Sequence, residues 1–371
     1  MKLFIFLFTI TFLFIGCSVP MNKPLNIELE GSSFHSKEIL KHNKIYYDKN
    51  THTLVDVLYG TDRKKNLKTN SYSSGRGELK YGVVQVSIPK THIKGEMERP
   101  GYFSNEILGK HIMIYDIEDL NKNNFVSILN SKLEVVKEKD ILIFIHGFNV
   151  DFNEAVRRTG QLSYDLKFKG VPISYSWPSA GEIEEYMKDE VSVQYTTPHL
   201  VEFLSNIIDN KEKGSNIHIL GHSMGTRALS NALKEISYKY YGKKIFKNIM
   251  LAAPDIDKDV FKVNLLPYII KTTEKITLYA SSDDSALKIS EGLHSGERVG
   301  QGGKEIFVFN GLSSIDATGI DTSLLGHSYF AEKDLLIGDI KDIIYKSLPP
   351  SKRKSLNKKI KNKINYWKFK Y

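Results

Sequence analysis

The sequence predicts an α/β fold, with a mostly parallel central sheet flanked by helices and antiparallel strands at its N-terminal edge. Three observations carry this reading. Through the middle of the chain, short apolar runs alternate with segments of helical length and pattern, as βαβ units around a parallel sheet require. Before them stand two longer β-type stretches punctuated by glycines, the look of hairpin-connected edge strands. Hydrophobic residues make up 41% of the 371 residues and aromatics 11%, enough to bury a real core.

The elements follow in order. Lys2 precedes an uncharged, largely apolar run, Leu3 to Ile15, which ends at Gly16-Cys17-Ser18. That run is too short to span a bilayer but suits the h-region of a signal peptide over residues 1–16. Residues 17–51 are polar and weakly patterned and read as a tether. Strands are expected at 54–59, 81–89 and 111–117, punctuated by Gly75, Gly77 and Gly82. The continuously apolar runs 141–145, 171–177, 217–220, 249–252, 276–280 and 306–309 read as parallel strands buried on both faces. Helical patterns fit 152–168, 196–209, 224–240 and 331–347. One α/β domain over residues 52–348 accounts for all of these, followed by a basic tail, 349–371.

Charge narrows the function. Lys plus Arg number 52 and Asp plus Glu 43, an excess of nine. Residues 351–371 alone carry eight Lys and one Arg with no acid, so the body is formally neutral. A neutral body argues against nucleic-acid binding as the main task. The tail reads as a solvated end, with an anionic-lipid contact through its lysines and Trp367, Phe369 and Tyr371 as the alternative. Cys17 is the single cysteine, which excludes an internal disulfide. No metal or cofactor signature is present: there is no paired-histidine helix motif, no cysteine cluster and no phosphate-cradling Gly-x-x-x-x-Gly-Lys. Gly300, Gly302 and Gly303 read as a turn.

The chemistry centres on Gly221-His222-Ser223-Met224-Gly225, a Gly-x-Ser-x-Gly pattern between an apolar run and a helical segment. Strand, tight turn and helix are the context in which such a serine is exposed as a nucleophile. Acyl transfer from serine also needs a base, an orienting acid and donors for the developing oxyanion. Downstream, Ser282-Asp283-Asp284 closes one predicted strand and His327 follows the last. His294 comes too early for a base that should follow the acid's strand by another strand. Asp255 and Asp257 end an earlier strand and remain an alternative acid position, with helix capping or pocket shaping as their other role.

The chain resembles the bacterial α/β-hydrolases of unknown function often grouped in an esterase/lipase superfamily. The matching stretches are Tyr59-Gly60-Thr61-Asp62-Arg63, Ile145-His146-Gly147-Phe148-Asn149-Val150, Ser176-Trp177-Pro178-Ser179, the Ser223 turn, Leu251 to Asp257 and Gly326-His327-Ser328-Tyr329-Phe330. The resemblance implies an α/β-hydrolase fold in which Ser223, Asp284 and His327 form a triad, Asp284 standing within Asp283-Asp284-Ser285-Ala286-Leu287. It implies an oxyanion hole from the backbone N–H groups of Phe148 and Met224, with His146 structural. The junction Phe14-Ile15-Gly16-Cys17 is similar to a lipoprotein signal, which implies lipidation of Cys17 and an envelope location, on the periplasmic side of an outer membrane. The expected activity is hydrolysis of a small-molecule or lipid ester. An amidase, peptidase or acyltransferase on the same triad, and a non-catalytic envelope lipoprotein, are the rival readings.

Overall fold

The computed structural model describes residues 47–48, 51–101, 104–181, 185–241, 243–283, 290, 296–320 and 330–370. The strands are β1 (Tyr47–Asp48), β2 (His52–Asn66), β3 (Ser71–Pro89), β4 (Met113–Leu120), β5 (Asp140–Ile145), β6 (Val171–Ser176), β7 (Asn216–His222), β8 (Phe246–Ala252), β9 (Thr273–Ala280), β10 (Leu312–Asp316), β11 (Leu356–Lys361) and β12 (Ile364–Phe369). They join one sheet in the order β11-β12-β10-β9-β8-β7-β5-β6-β2-β3-β4, with β1 on β2. Every pairing from β12 across to β2 is parallel. The two ends, β11 on β12 and β4-β3-β2, are antiparallel. The expected architecture is the observed one.

The helices are α1 (Lys122–Glu134), α2 (Phe152–Asp165), α3 (Tyr186–Asn210), α4 (Gly225–Lys239), α5 (Lys258–Val260), α6 (Leu266–Thr272) and α7 (Phe330–Lys346), with a π-turn, Phe261–Leu265, joining α5 to α6. Their starts are written locally. The Asn121 side chain accepts from Asn124 N–H and the Asp151 side chain from Glu154 N–H, each satisfying an orphan donor of a first turn. In β5, Ile141, Ile143 and Ile145 face a core shared with α1, α3, α4 and α6, while Leu142 and Phe144 face the core under α2 and α7. Both faces are apolar because both are covered, which is why the run looked continuous.

Four expectations change. Residues 306–309 are not a strand: Ile306 and Phe307 are buried in the core, Phe261 edge-on to Phe307 at 5.7 Å, and the last parallel strand is Leu312–Asp316. The helix expected from residue 196 begins at Tyr186 and carries Pro198 in its interior. Helices α1 and α6 were not foreseen. The basic segment is no solvated tail but a β-hairpin that extends the sheet, so the domain runs past residue 348 to Phe369; it also begins before residue 52, since Tyr47–Asp48 pairs with β2.

The hairpin is held by both packing and charge. Leu356 and Phe369 are buried opposite each other, at about 1.5–3 kcal/mol each. Arg353, just before β11, is buried and donates to Asp339 of α7 at 2.6 Å; Tyr279 of β9 donates to the same carboxylate oxygen at 2.7 Å. Asn362 and Lys363 both take left-handed φ (51° and 63°), the geometry of a tight two-residue hairpin turn.

Candidate active site

Strand β5 pairs with β6 on one side and β7 on the other, so the winding of the sheet reverses there. The connections leaving the C-terminal ends of β5 and β7 diverge and open a crevice, the place where open α/β sheets bind ligands. Ser223 stands in that crevice.

Ser223 is the first residue after β7 and has φ 46°, a left-handed conformation that costs a non-glycine residue energy and persists only where its surroundings enforce it. They do so from both sides. Its N–H donates to the Ala252 carbonyl at 2.9 Å, and its carbonyl accepts from Thr226 N–H at 3.0 Å and Thr226 Oγ1 at 2.6 Å. The two glycines of the motif have separate steric reasons. A Cβ on Gly221 would stand 2.9 Å from Leu229 Cδ2 of α4, and one on Gly225 would stand 2.0 Å from the His146 carbonyl oxygen. The serine is 4% exposed.

The turn after β5 lies against this one. A Cβ on Gly147 would be 3.0 Å from Ser223 Cβ and 2.6 Å from His222 Nδ1, so only glycine fits. Phe148 is half-buried beside it and Met224 is fully buried next to Ser223. Among the described residues, neither backbone N–H donates to an acceptor. His146 is buried and structural, as expected: its ring stacks on Trp177 at 5.1 Å, and the Trp177 indole donates to its carbonyl at 2.7 Å. Burial and the adjacent Arg63 charge hold its pKa well below the ordinary value, so it is neutral.

Arg63 went unassigned in the sequence, although it stands in a matched stretch. The register of β2 against β3 shifts on both sides of it, and its side chain is driven inward, 1% exposed. Its guanidinium donates to the Val150 carbonyl at 2.6 Å, the Ser179 carbonyl at 2.9 Å and Ser176 Oγ at 2.9 Å. One side chain thus pins the turns after β5 and β6 to β2. No carboxylate of the described residues pairs with it within 4 Å; burial lowers its pKa to about 10. From the other side, buried Asp189 of α3 accepts from Ser179 Oγ at 2.5 Å and Ala180 N–H at 2.8 Å.

Asp255, in the loop after β8, is 2% exposed and accepts from Ser290 Oγ at 2.5 Å, Tyr186 Oη at 2.6 Å and Arg227 Nη2 at 2.9 Å, with Arg298 Nε at 3.6 Å. Both carboxylate oxygens are taken, so this carboxylate serves as a buried joint between α3, α4 and the β8 loop. Tyr186 also packs edge-on against Phe148 at 5.2 Å. Asp257 caps α5, accepting from Asp259 and Val260 N–H. Asp283 is exposed and accepts from Gly319 N–H at 2.8 Å, tying the β9 loop to the turn after β10. Asp284, His327 and Cys17 lie outside the described residues, as does His294. Buried Arg63, Asp189 and Arg298 and half-buried Arg227 escaped notice because a charged residue in sequence looks solvated by default.

An uncharacterized protein of Nostoc sp. is 26% identical over 150 residues, 34% of this chain; the match spans 37% of that relative's length. Among solved structures, an inhibited esterase B from Lactobacillus rhamnosis shares 9% identity over 84% of this chain and 92% of its own, at a TM-score of 0.33. An uncharacterised protein from Capnocytophaga ochracea shares 9% over 80% and 66%, at 0.35. Residues 121–345, well over half of the chain and spanning both turns of the crevice, match the family described as alpha/beta hydrolase of unknown function (DUF900), and the protein belongs to that family.

Proposed function

We propose that this α/β hydrolase is a serine esterase that cleaves carboxylic esters through an acyl-enzyme. The observation that carries the reading is Ser223 itself: a non-glycine residue held left-handed at the β7–α4 turn, at the reversal point of the sheet, against Gly147 of the neighbouring turn. Ser223 Oγ attacks the acyl carbon. His327 takes its proton and returns it to the leaving alcohol, and Asp284 orients the imidazole. The Phe148 and Met224 amides, which have no acceptor among the described residues, stabilise the oxyanion. Water then attacks the acyl-enzyme with His327 again as base. Cys17 carries a lipid that anchors the enzyme in the cell envelope.

The test combines labelling with turnover. A fluorophosphonate probe should label the parent protein and fail to label Ser223→Ala, and the variant should lose nearly all hydrolysis of p-nitrophenyl butyrate while keeping its melting temperature. Equal labelling of both proteins overturns the assignment of the nucleophile. Labelling of the parent alone, with turnover of amides and none of esters, overturns the ester reading and leaves the nucleophile in place.

A further inference from the structure

We propose that the β11–β12 hairpin is a docking surface for an anionic phospholipid membrane. The whole net charge of the protein, nine, equals the charge carried by residues 351–371. In the fold this is not a diffuse tail. Arg353 is spent internally on Asp339. Lys352, Lys354, Lys358, Lys359, Lys363 and Lys370 are exposed, and none has a carboxylate within 4 Å among the described residues. Elsewhere lysines are often paired, as in Lys65–Asp119, Lys132–Asp56, Lys139–Glu212 and Lys247–Glu274. The hairpin is therefore a local field of one sign on a rigid element.

One feature selects a bilayer over a soluble polyanion. Ile360 is 67% exposed between Lys359 and Lys361, next to the Asn362–Lys363 turn, where an apolar side chain flanked by cations can enter a headgroup layer. Directly across the ladder, Lys358 pairs with Trp367 and Lys359 with Tyr366, whose rings pack against the two cores and so fix the strand that presents these lysines. Protection of an edge strand from pairing with another chain needs only a charge or two. Six unpaired lysines and an exposed isoleucine go beyond that need. This inference is independent of the catalytic reading.

The experiment uses the full chain carrying Cys17→Ser, so that no lipid is attached, and measures flotation with phosphatidylcholine vesicles with and without one-third phosphatidylglycerol. Each lysine at an anionic surface is worth about fivefold in partitioning. Lys358→Glu with Lys359→Glu should weaken binding to the anionic vesicles at least tenfold at low ionic strength, and high salt should remove the difference. Ile360→Ser should weaken binding at both ionic strengths. Melting temperature and turnover of a soluble ester should stay at the parent's level. Equal flotation of parent and double variant overturns the proposal, as does retention of the parent on heparin without any preference for the anionic vesicles.

Discussion

Asp283 and Asp284 are neighbours, and only one can orient His327, because successive side chains of extended chain point to opposite sides. Asp283 is exposed and accepts from Gly319 N–H, and the proposed triad gives the orienting role to Asp284. Asp284→Asn should cost up to about 10⁴-fold in turnover, whereas Asp283→Asn should leave turnover near the parent's and lower stability by about 1 kcal/mol or less; turnover and melting curves of both variants check this. Arg63→Lys keeps a charge but not a planar fork. One ammonium cannot serve Val150, Ser179 and Ser176 together, and each buried acceptor left unsatisfied costs about 1–3 kcal/mol. The expected outcome is a lower melting temperature and a kcat reduced at least tenfold, with a smaller change in KM, since Arg63 holds the turn that carries Phe148, the proposed oxyanion donor. Ser223 was legible because its pattern sits between a strand and a helix. Arg63 was not, because nothing in a sequence says that a register shift will turn a charge inward.

At the scale of elements, the C-terminal hairpin yields the clearest prediction. Removing one partner of a buried ion pair costs about 3–5 kcal/mol, because the other charge is left uncompensated. Arg353→Met should therefore destabilise the protein to that extent in urea unfolding, and Arg353→Met combined with Asp339→Leu should recover part of the loss. Truncation after Pro350, harmless if the segment were a solvated tail, should destabilise more than either variant. The strands buried on both faces were readable as apolar runs. Strand β10 was not, because Leu312-Ser-Ser-Ile-Asp hides its buried serine, whose Oγ donates to the Phe307 carbonyl, behind a polar composition. The hairpin was missed for the same kind of reason: its lysines occupy the outer edge and hide the buried Leu356 and Phe369.

For the molecule as a whole, pH dependence rests on a buried triplet far along the chain from Ser223. His92 donates to Asp165 at 2.9 Å and to Glu98 at 2.8 Å, joining the loop after β3 to the C-terminal end of α2. Burial alone disfavours the imidazolium, but the hydrogen bonds to Asp165 and Glu98 outweigh it and push the pKa up to about 9. A folded value above the unfolded 6.5 contributes stability that is complete below about pH 6.5 and is lost as pH rises through 9. Its size is on the order of 3 kcal/mol. For Glu98, burial raises the pKa, but the bond from His92 outweighs it and the net shift is downward; its share is present above about pH 4.5 and lost in acid. Melting temperatures of parent and His92→Gln should differ most near pH 6 and converge above pH 9. The overall topology was legible because hydrophobic alternation repeats along the chain; this cluster was not, because its carboxylates come from two segments far apart in the sequence.

The position of β12 has a consequence for the order of assembly. This strand is synthesised after β10 and α7, yet it forms a parallel partner of β10 within the sheet. Until it arrives, β10 presents an unpaired edge, and the Tyr279 face that Phe369 covers lies open. A nascent chain thus holds an unfinished sheet until β12 is made, and such edges template association with other chains. Chains that stop before β11 would keep every residue proposed for catalysis and still carry a sticky margin, so the hairpin acts as a quality seal on the folded domain.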